Sequence, residues 1–383
     1  MIEKGRISSF QMAVLMYPTI ISTSILSVPS ITAKFADKDL WIAPIWAALT
    51  GFLVVYILIM LSKLYPGQSM IEYSTHILGY KLGKLLGLIY IISYLINVGI
   101  MIREYGEFIM DAFLHETPII VVMGSMVLVC AFAVRSGLEV LGRVAQVFVP
   151  IVVILLLLIF SLAIPDLDPD NMLPIFERGI TPSLIAAIPT QTWFTEFIDI
   201  TILLPFLADR EKGLKWGMIS VIAVMVSMVL CGIISLLLLG DIVSSYSYPV
   251  MLAARYISLA DFLEHLEAMA MAVWVLGMFI KISVVYYVLV LMVGQWLQLP
   301  SYRPLVFTIG YMSVVYSKWV ASSREVLNHM LATSLVFFYI TIQFVIPALL
   351  LLIALLRNKW SKHKEPGSRL PTNAVSPEKS SDG

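Results

Sequence analysis

This 383-residue chain contains about ten long apolar runs separated by short polar breaks, and that pattern decides its solvent. A helix crosses the hydrocarbon core with roughly 20 mainly apolar residues, whereas a barrel strand needs only about 10. Lipid offers the backbone no hydrogen bonds, so only helices or closed barrels span it. These runs are too long for strands. Charged residues make up 13% of the chain, about half the share usual in soluble domains. The sequence predicts an all-α, polytopic membrane protein.

Spans are expected near residues 10–35, 40–62, 83–110, 117–134 and 144–164, then near 183–207, 215–239, 266–297, 304–320 and 330–356. The first run is longer than a signal-peptide core, holds Pro18 and Pro29, and lacks a small-residue cleavage site, so it is expected to be retained as a span. Residues 1–364 read as one transmembrane domain, with repeats over about 8–164 and 183–356. The Pro-, Ser- and charge-rich stretch 365–383 reads as a disordered cytoplasmic tail. Two connections, Ser69–Lys81 and Tyr248–Glu264, mix apolar and polar residues at near-helical spacing, which predicts interfacial helices.

Basic residues recur at every second connection, among them Lys63, Lys84, Arg135, Arg143, Arg210, Arg303 and Arg357, while Asp166, Asp168, Asp170, Asp241 and Asp261 lie in the alternate ones. Positive charge favours the cytoplasmic side. Both termini are therefore expected there.

The first span places Pro18 and Pro29 around Thr19, Ser22, Thr23, Ser24 and Ser27; the sixth places Pro189 and Pro205 around Thr190, Gln191, Thr192, Thr195, Glu196, Asp199 and Thr201. Interrupted helices at corresponding positions of two halves point to a five-plus-five inverted repeat with its site at the midplane. Broken first and sixth helices would offer free N–H groups to a carboxylate and free carbonyls to an ammonium. An α-amino acid presents both charges. The ligand-binding candidates are Ser22, Thr23, Ser24, Asn97, Thr190, Gln191, Thr192 and Glu196. The competing reading has the hydroxyls bonding back to their own helix, the prolines only kinking it, and Asn97 making an interhelical hydrogen bond.

Lys281 lies in WVLGMFIKISVVYY with apolar residues on either side. Unpaired at that depth it would cost at least about 2.5 kcal/mol. Its candidate partners are Glu196 and Asp199 on the sixth span, or Glu104 and Glu107 on the third. Asp199 and Lys281 read either as charge-coupling residues, the lysine standing in for a coupling cation or tying the bundle to the movable half, or as members of a structural ion pair. Tyr94, Tyr286 and Tyr287 are candidates to line the same cavity.

No Walker loop, His-Glu-x-x-His, Cys-x-x-Cys or dinucleotide fingerprint occurs. The five histidines are scattered, and Cys130 and Cys231 each sit in an apolar run. The expectation is no enzyme, no metal, no cofactor and no nucleic-acid partner; the lipid bilayer surrounds the chain.

The segment HLEAMAMAVWVLGMFIKISVVYYVLVLMVGQWLQLPSYRPL (265–305) closely resembles the eighth-helix region of endospore germination permeases, the B subunits of nutrient germinant receptors. SILSVPS at 24–30 resembles that family's first-helix signature, QSMIEYSTHILGYKLGKLLG its first cytoplasmic loop, and TEFIDITILLPFL its acidic sixth helix. The resemblance extends over about 8–360. It implies the amino acid/polyamine/organocation transporter fold, the inner membrane of a dormant spore, partnership with an A subunit and a lipoprotein C subunit, and binding of a nutrient that signals germination. Ser22, Thr23 and Ser24 fall where many relatives have a glycine-containing stretch, which implies a narrower, more polar pocket and leaves the nutrient open. A proton-coupled amino acid transporter working through Glu196, Asp199 or Lys281, and a scaffold with a vestigial pocket, fit the same physical arguments.

Overall fold

The computed structural model describes residues 3–256, 266–321 and 323–363. Among the described residues, regular structure is helical apart from one bridge between Ile7 and Leu207. The first half contains α1 (Ser9–Ala36), α2 (Ala43–Leu64), α3 (Met70–Leu78), α4 (Tyr80–Ala112), α5 (Ile119–Ser136) and α6 (Leu138–Ala163). The second contains α7 (Thr181–Thr195), α8 (Ile200–Leu203), α9 (Gly213–Leu239), α10 (Pro249–Tyr256), α11 (Leu266–Trp296), α12 (Leu305–Trp319), α13 (Arg324–Ala332), α14 (Ser334–Ile340) and α15 (Ile346–His363).

Seven described stretches are long and apolar enough to cross a membrane. The first, Ser9–Leu64, holds both α1 and α2, joined by a 3-10 turn at Asp37–Ile42. Two more spans are short in any one piece: α12 has 15 residues, and so does α7, the longest part of the interrupted sixth span. Eight helices from the seven stretches plus these two give the ten expected.

The spans sort into two groups by packing. Spans one, two, six and seven (α1, α2, α7, α9) pack on one another, spans three, four, eight and nine (α4, α5, α11, α12) form the other set, and α1 packs along α11 as the direct seam between the two. A shift of five maps each group onto itself, as a five-plus-five repeat requires. The fifth span, α6, packs against both α1 and α11 and joins the sets.

One expectation is corrected. The first span is not broken: α1 runs through Pro18 and Pro29 as a single 28-residue α-helix. Its hydroxyls turn back on the helix itself, with Thr19 donating to Leu15 O (2.8 Å), Ser22 to Pro18 O (2.5 Å) and Thr32 to Val28 O (2.8 Å). Proline is tolerated in membrane helices where such side chains satisfy nearby backbone groups. The sixth span does break. α7 passes Pro189, tightens to a 3-10 turn at Glu196–Asp199, resumes as α8, and ends in a second 3-10 turn at Leu204–Phe206 carrying Pro205. The tenth span holds an irregularity of its own, a π turn at Thr341–Val345 between α14 and α15. It lies just before Pro347, which has no N–H for the helical ladder, and Tyr90 donates its hydroxyl to Ile342 O at 2.9 Å.

The expected Ser69–Lys81 helix is α3, started by a reciprocal cap between Ser69 and Glu72. It lies so close to α4 that a Cβ on Gly83 would sit 2.4 Å from the Thr75 Cα, so only glycine fits there. The expected Tyr248–Glu264 helix begins as α10; residues 257–265 and the tail 365–383 lie outside the described residues.

The N-terminal segment clasps the end of the bundle that carries the termini. Ile7 pairs with the end of the sixth span, its N–H donating to Phe206 O (3.1 Å) and its carbonyl accepting from Ala208 N (2.9 Å). Ahead of it, the buried Glu3 carboxylate accepts from the Lys4 and Gly5 amides (2.7 Å each) and from the hydroxyls of Tyr302 (3.0 Å) and Tyr287 (3.2 Å). Burial works to raise the Glu3 carboxyl, yet the Gly5 amide, the Tyr302 hydroxyl, the Lys4 amide and the Tyr287 hydroxyl together hold it below its ordinary value. A folded-state value below the unfolded one stabilises the clasp above the unfolded pKa, and that contribution disappears as pH falls through the folded value. Glu3→Gln is expected to weaken the clasp by about 1–3 kcal/mol. Tryptic cleavage after Lys4 and Arg6 in detergent reads this: faster in the variant, with unchanged cleavage contradicting the role of the carboxylate.

Candidate functional site

The site forms where the sixth span breaks. A 3-10 helix has three residues per turn, so side chains at i and i+3 eclipse. Glu196 and Asp199 therefore stand on one face of their turn. Lys281 of α11 donates to Glu196 Oε2 at 2.7 Å and to Thr23 Oγ1 of α1 at 2.9 Å. The lysine is 1% exposed and the glutamate 13%, so water screens this pair little. Trp193 of α7 donates its indole N–H to the same Thr23 oxygen at 3.0 Å. Asp199 turns to the third span, accepting from the Tyr94 hydroxyl at 2.5 Å.

Apart from the Trp193–Thr23 bond, these contacts cross between the helix groups. Glu196, Asp199 and Thr23 belong to the first group, Lys281 and Tyr94 to the second. Breaking a buried pair from one side leaves a charge without compensation, which costs far more than the pair's net worth. The bonds thus favour one relative placement of the groups.

The other sequence candidates fall around this centre in different ways. Ser22 and Ser24 bond back to Pro18 O and Ile21 O, and Thr190 and Thr192 to Ala186 O (2.9 Å) and Pro189 O (2.7 Å). Gln191 is half-buried on α7. Asn97 accepts from the Tyr339 hydroxyl of α14 at 3.1 Å. Glu107 pairs with Arg103 at 2.6 Å one turn away on α4, so it is not the partner of Lys281. Tyr286 and Tyr287 point elsewhere, donating to Val306 O and to Glu3. Among the described residues, no group of three or more His, Cys, Asp or Glu side chains is placed to hold a metal ion.

Sequence reasoning missed Trp193 and Gln343. Gln343, inside the π turn, accepts from Thr195 Oγ1 at 2.7 Å and joins the irregular turns of spans six and ten. Its signal was present: Thr341 and Gln343 stand just before Pro347 in an apolar span, the same polar-before-proline pattern that marked the sixth.

Two four-helix groups related by a shift of five, a sixth span broken beside buried carboxylates, and a lysine tying the groups together define a ten-span helical membrane bundle with a charged centre. A solved Na+-coupled sialic acid symporter, in a substrate-bound outward-open state, shares this fold, with a TM-score of 0.63 and 13% identity over 89% of this chain and 80% of that one. The chain belongs to the spore germination protein family, whose profile matches residues 6–326. Relatives include spore germination protein KB of Bacillus subtilis, 27% identical over 96% of this chain and 98% of its own length. Spore germination proteins YndE and A2 of the same organism are 24% and 22% identical over 94% and 92% of this chain and over 98% and 97% of their own lengths.

Proposed function

We propose that this chain is the B subunit of a nutrient germinant receptor in the spore inner membrane, with both termini cytoplasmic and A and C subunits as partners. It binds a small nutrient, an amino acid, beside the broken sixth span and passes the signal on by a change in how its helix groups sit. The observation that carries this reading is the Lys281 tie to Glu196 and Thr23. A cation built into the protein holds the two groups in one arrangement without a bound ion, and a nutrient bearing its own charges competes for the same partners. Occupancy then shifts a two-state equilibrium by the difference in its affinity for the two states.

The test is uptake in proteoliposomes set beside germination. Spores lacking the chain are expected to lose their response to the nutrient it serves, and the purified chain is expected to bind amino acids without accumulating them. Sustained, proton-driven accumulation would overturn the receptor reading in favour of an amino acid transporter.

A further inference from the structure

At the end of the bundle opposite the termini, the connection between α6 and α7 folds over the turn Asp37–Ile42 and the end of α9. Between these pieces lies a cavity of about 290 Å³, far more than a water needs. Asp37, Asp39, Glu177 and Asp241 line it against only two bases, Lys38 and Arg178. Arg178 is committed to Asp37 at 2.8 Å, and Lys38 donates to Leu173 O. Glu177 and Asp241 are exposed and make no ion pair or hydrogen bond with another described residue. The connection 164–182 adds Asp166, Asp168 and Asp170 and no further base. Such a field draws a positively charged guest.

Around the cavity, apolar side chains are held in the open. Leu173, Ile175, Phe176 and Ile180 are 41–56% exposed, and Ile242 and Tyr246 past the end of α9 are 47% and 41% exposed. The backbone beneath them is pinned. The Phe176 N–H donates to both Asp39 carboxylate oxygens (3.0 and 3.2 Å), and Leu237 O accepts from the Asn171 side chain and the Asp168 N–H (3.0 Å each). Phe176 (φ 56°) and Asp37 (φ 46°) are two of the three non-glycine residues in the left-handed region among the described residues. That conformation costs energy and persists where the surroundings fix it. Clustered exposed apolar groups beside polar ones mark a surface that meets another protein.

We infer that this surface seats a protein held at the outer face of the membrane, which places a lysine or arginine side chain in the cavity beside Glu177 and Asp241 and apolar residues on Ile175 and Phe176. In the receptor reading above, on which this rests, that protein is the C subunit. A second copy of this chain would bring the same acidic face and be repelled. Anionic headgroups would be repelled as well, since both bases are committed. A lipoprotein is tied to the membrane surface by its acyl chains, so its soluble domain lies at this height, and with both termini cytoplasmic this is the outer side. The surface is built from the ends of α1, α6, α7 and α9, so a docked subunit follows the first helix group when that group moves.

The experiment puts p-benzoylphenylalanine in place of Phe176 in the full chain, co-expressed in membranes with the A and C subunits. Irradiation should join this chain to the C subunit. The same group in place of Tyr80, 68% exposed at the opposite end, should not. Glu177→Lys with Asp241→Lys should cut the yield of that adduct at least tenfold and leave the melting temperature of the chain unchanged, because both carboxylates are exposed and unpaired. An adduct with the A subunit, with a second copy or with lipid instead would overturn the choice of partner. An undiminished adduct in the charge-reversed chain would overturn the cavity as the seat of a basic side chain. A and C subunits that co-purify with the chain while Phe176 gives no adduct would overturn the surface and leave the receptor reading standing; subunits that do not co-purify at all would overturn both.

Discussion

Lys281→Met is expected to destabilise the protein by about 3–5 kcal/mol, because it leaves the Glu196 carboxylate buried without its counter-charge. The substitution keeps side-chain length and removes only the ammonium, so packing around α11 changes little. Thr23 loses one of its two donors and keeps Trp193. Lower abundance in membranes and a lower melting temperature read the effect, and the response to nutrient should go with them. Adding Glu196→Gln should restore much of the stability, since an uncharged pair carries a smaller desolvation cost. The double variant should nevertheless remain defective in germination, having lost the charges that hold the groups in register. A single variant with normal melting and normal germination would show that the ion pair serves neither stability nor signalling.

Gly277→Ala is expected to open the seam between the first and eighth spans. A Cβ at this position would sit 2.5 Å from Ser22 Oγ, closer than a Cβ comes to a non-bonded atom. The Ser22 hydroxyl cannot swing away freely, since it donates to Pro18 O in the helix that proline weakens. Overpacking of this kind costs about 1–3 kcal/mol. Ser22→Ala in the same chain removes the clashing oxygen and leaves the nearest Ser22 atom, its Cβ, at 3.3 Å. The double variant should recover most of the lost stability in thermal unfolding. If the two substitutions simply add, the clash is not the cause.

Lys281 shows how much of the site was legible. A lone lysine amid apolar residues demands a partner at its own depth, and the sixth span supplied Glu196 and Asp199 three residues apart. The structure chooses between them because the 3-10 turn points Glu196 at α11 and leaves Asp199 to Tyr94. That choice depends on a local change of helical pitch, which a residue pattern does not encode. The first span misled for a related reason. Its prolines and hydroxyls look like an unwound segment, but α1 is continuous and the hydroxyls bond to the carbonyls of the preceding turn. Whether serine and threonine face a ligand or their own backbone is a rotamer question, so both readings fitted the sequence. Glu3 carried no signal at all: a glutamate near a chain end gives no hint that it folds in against Tyr287 and Tyr302, 284 and 299 residues away.

The central claim, that nutrient binding changes the placement of one helix group against the other, can be measured as a distance. Phe35 at the end of α1 and Ile120 at the start of α5 are exposed and belong to different groups, while Cys130 and Cys231 are buried. Spin labels on Phe35→Cys and Ile120→Cys in nanodiscs should give one main distance without ligand. A second population should grow as a mixture of the common amino acids is added, and it should already be present without ligand when Lys281→Met is included. A single distance unchanged by the mixture and by Lys281→Met would contradict the account.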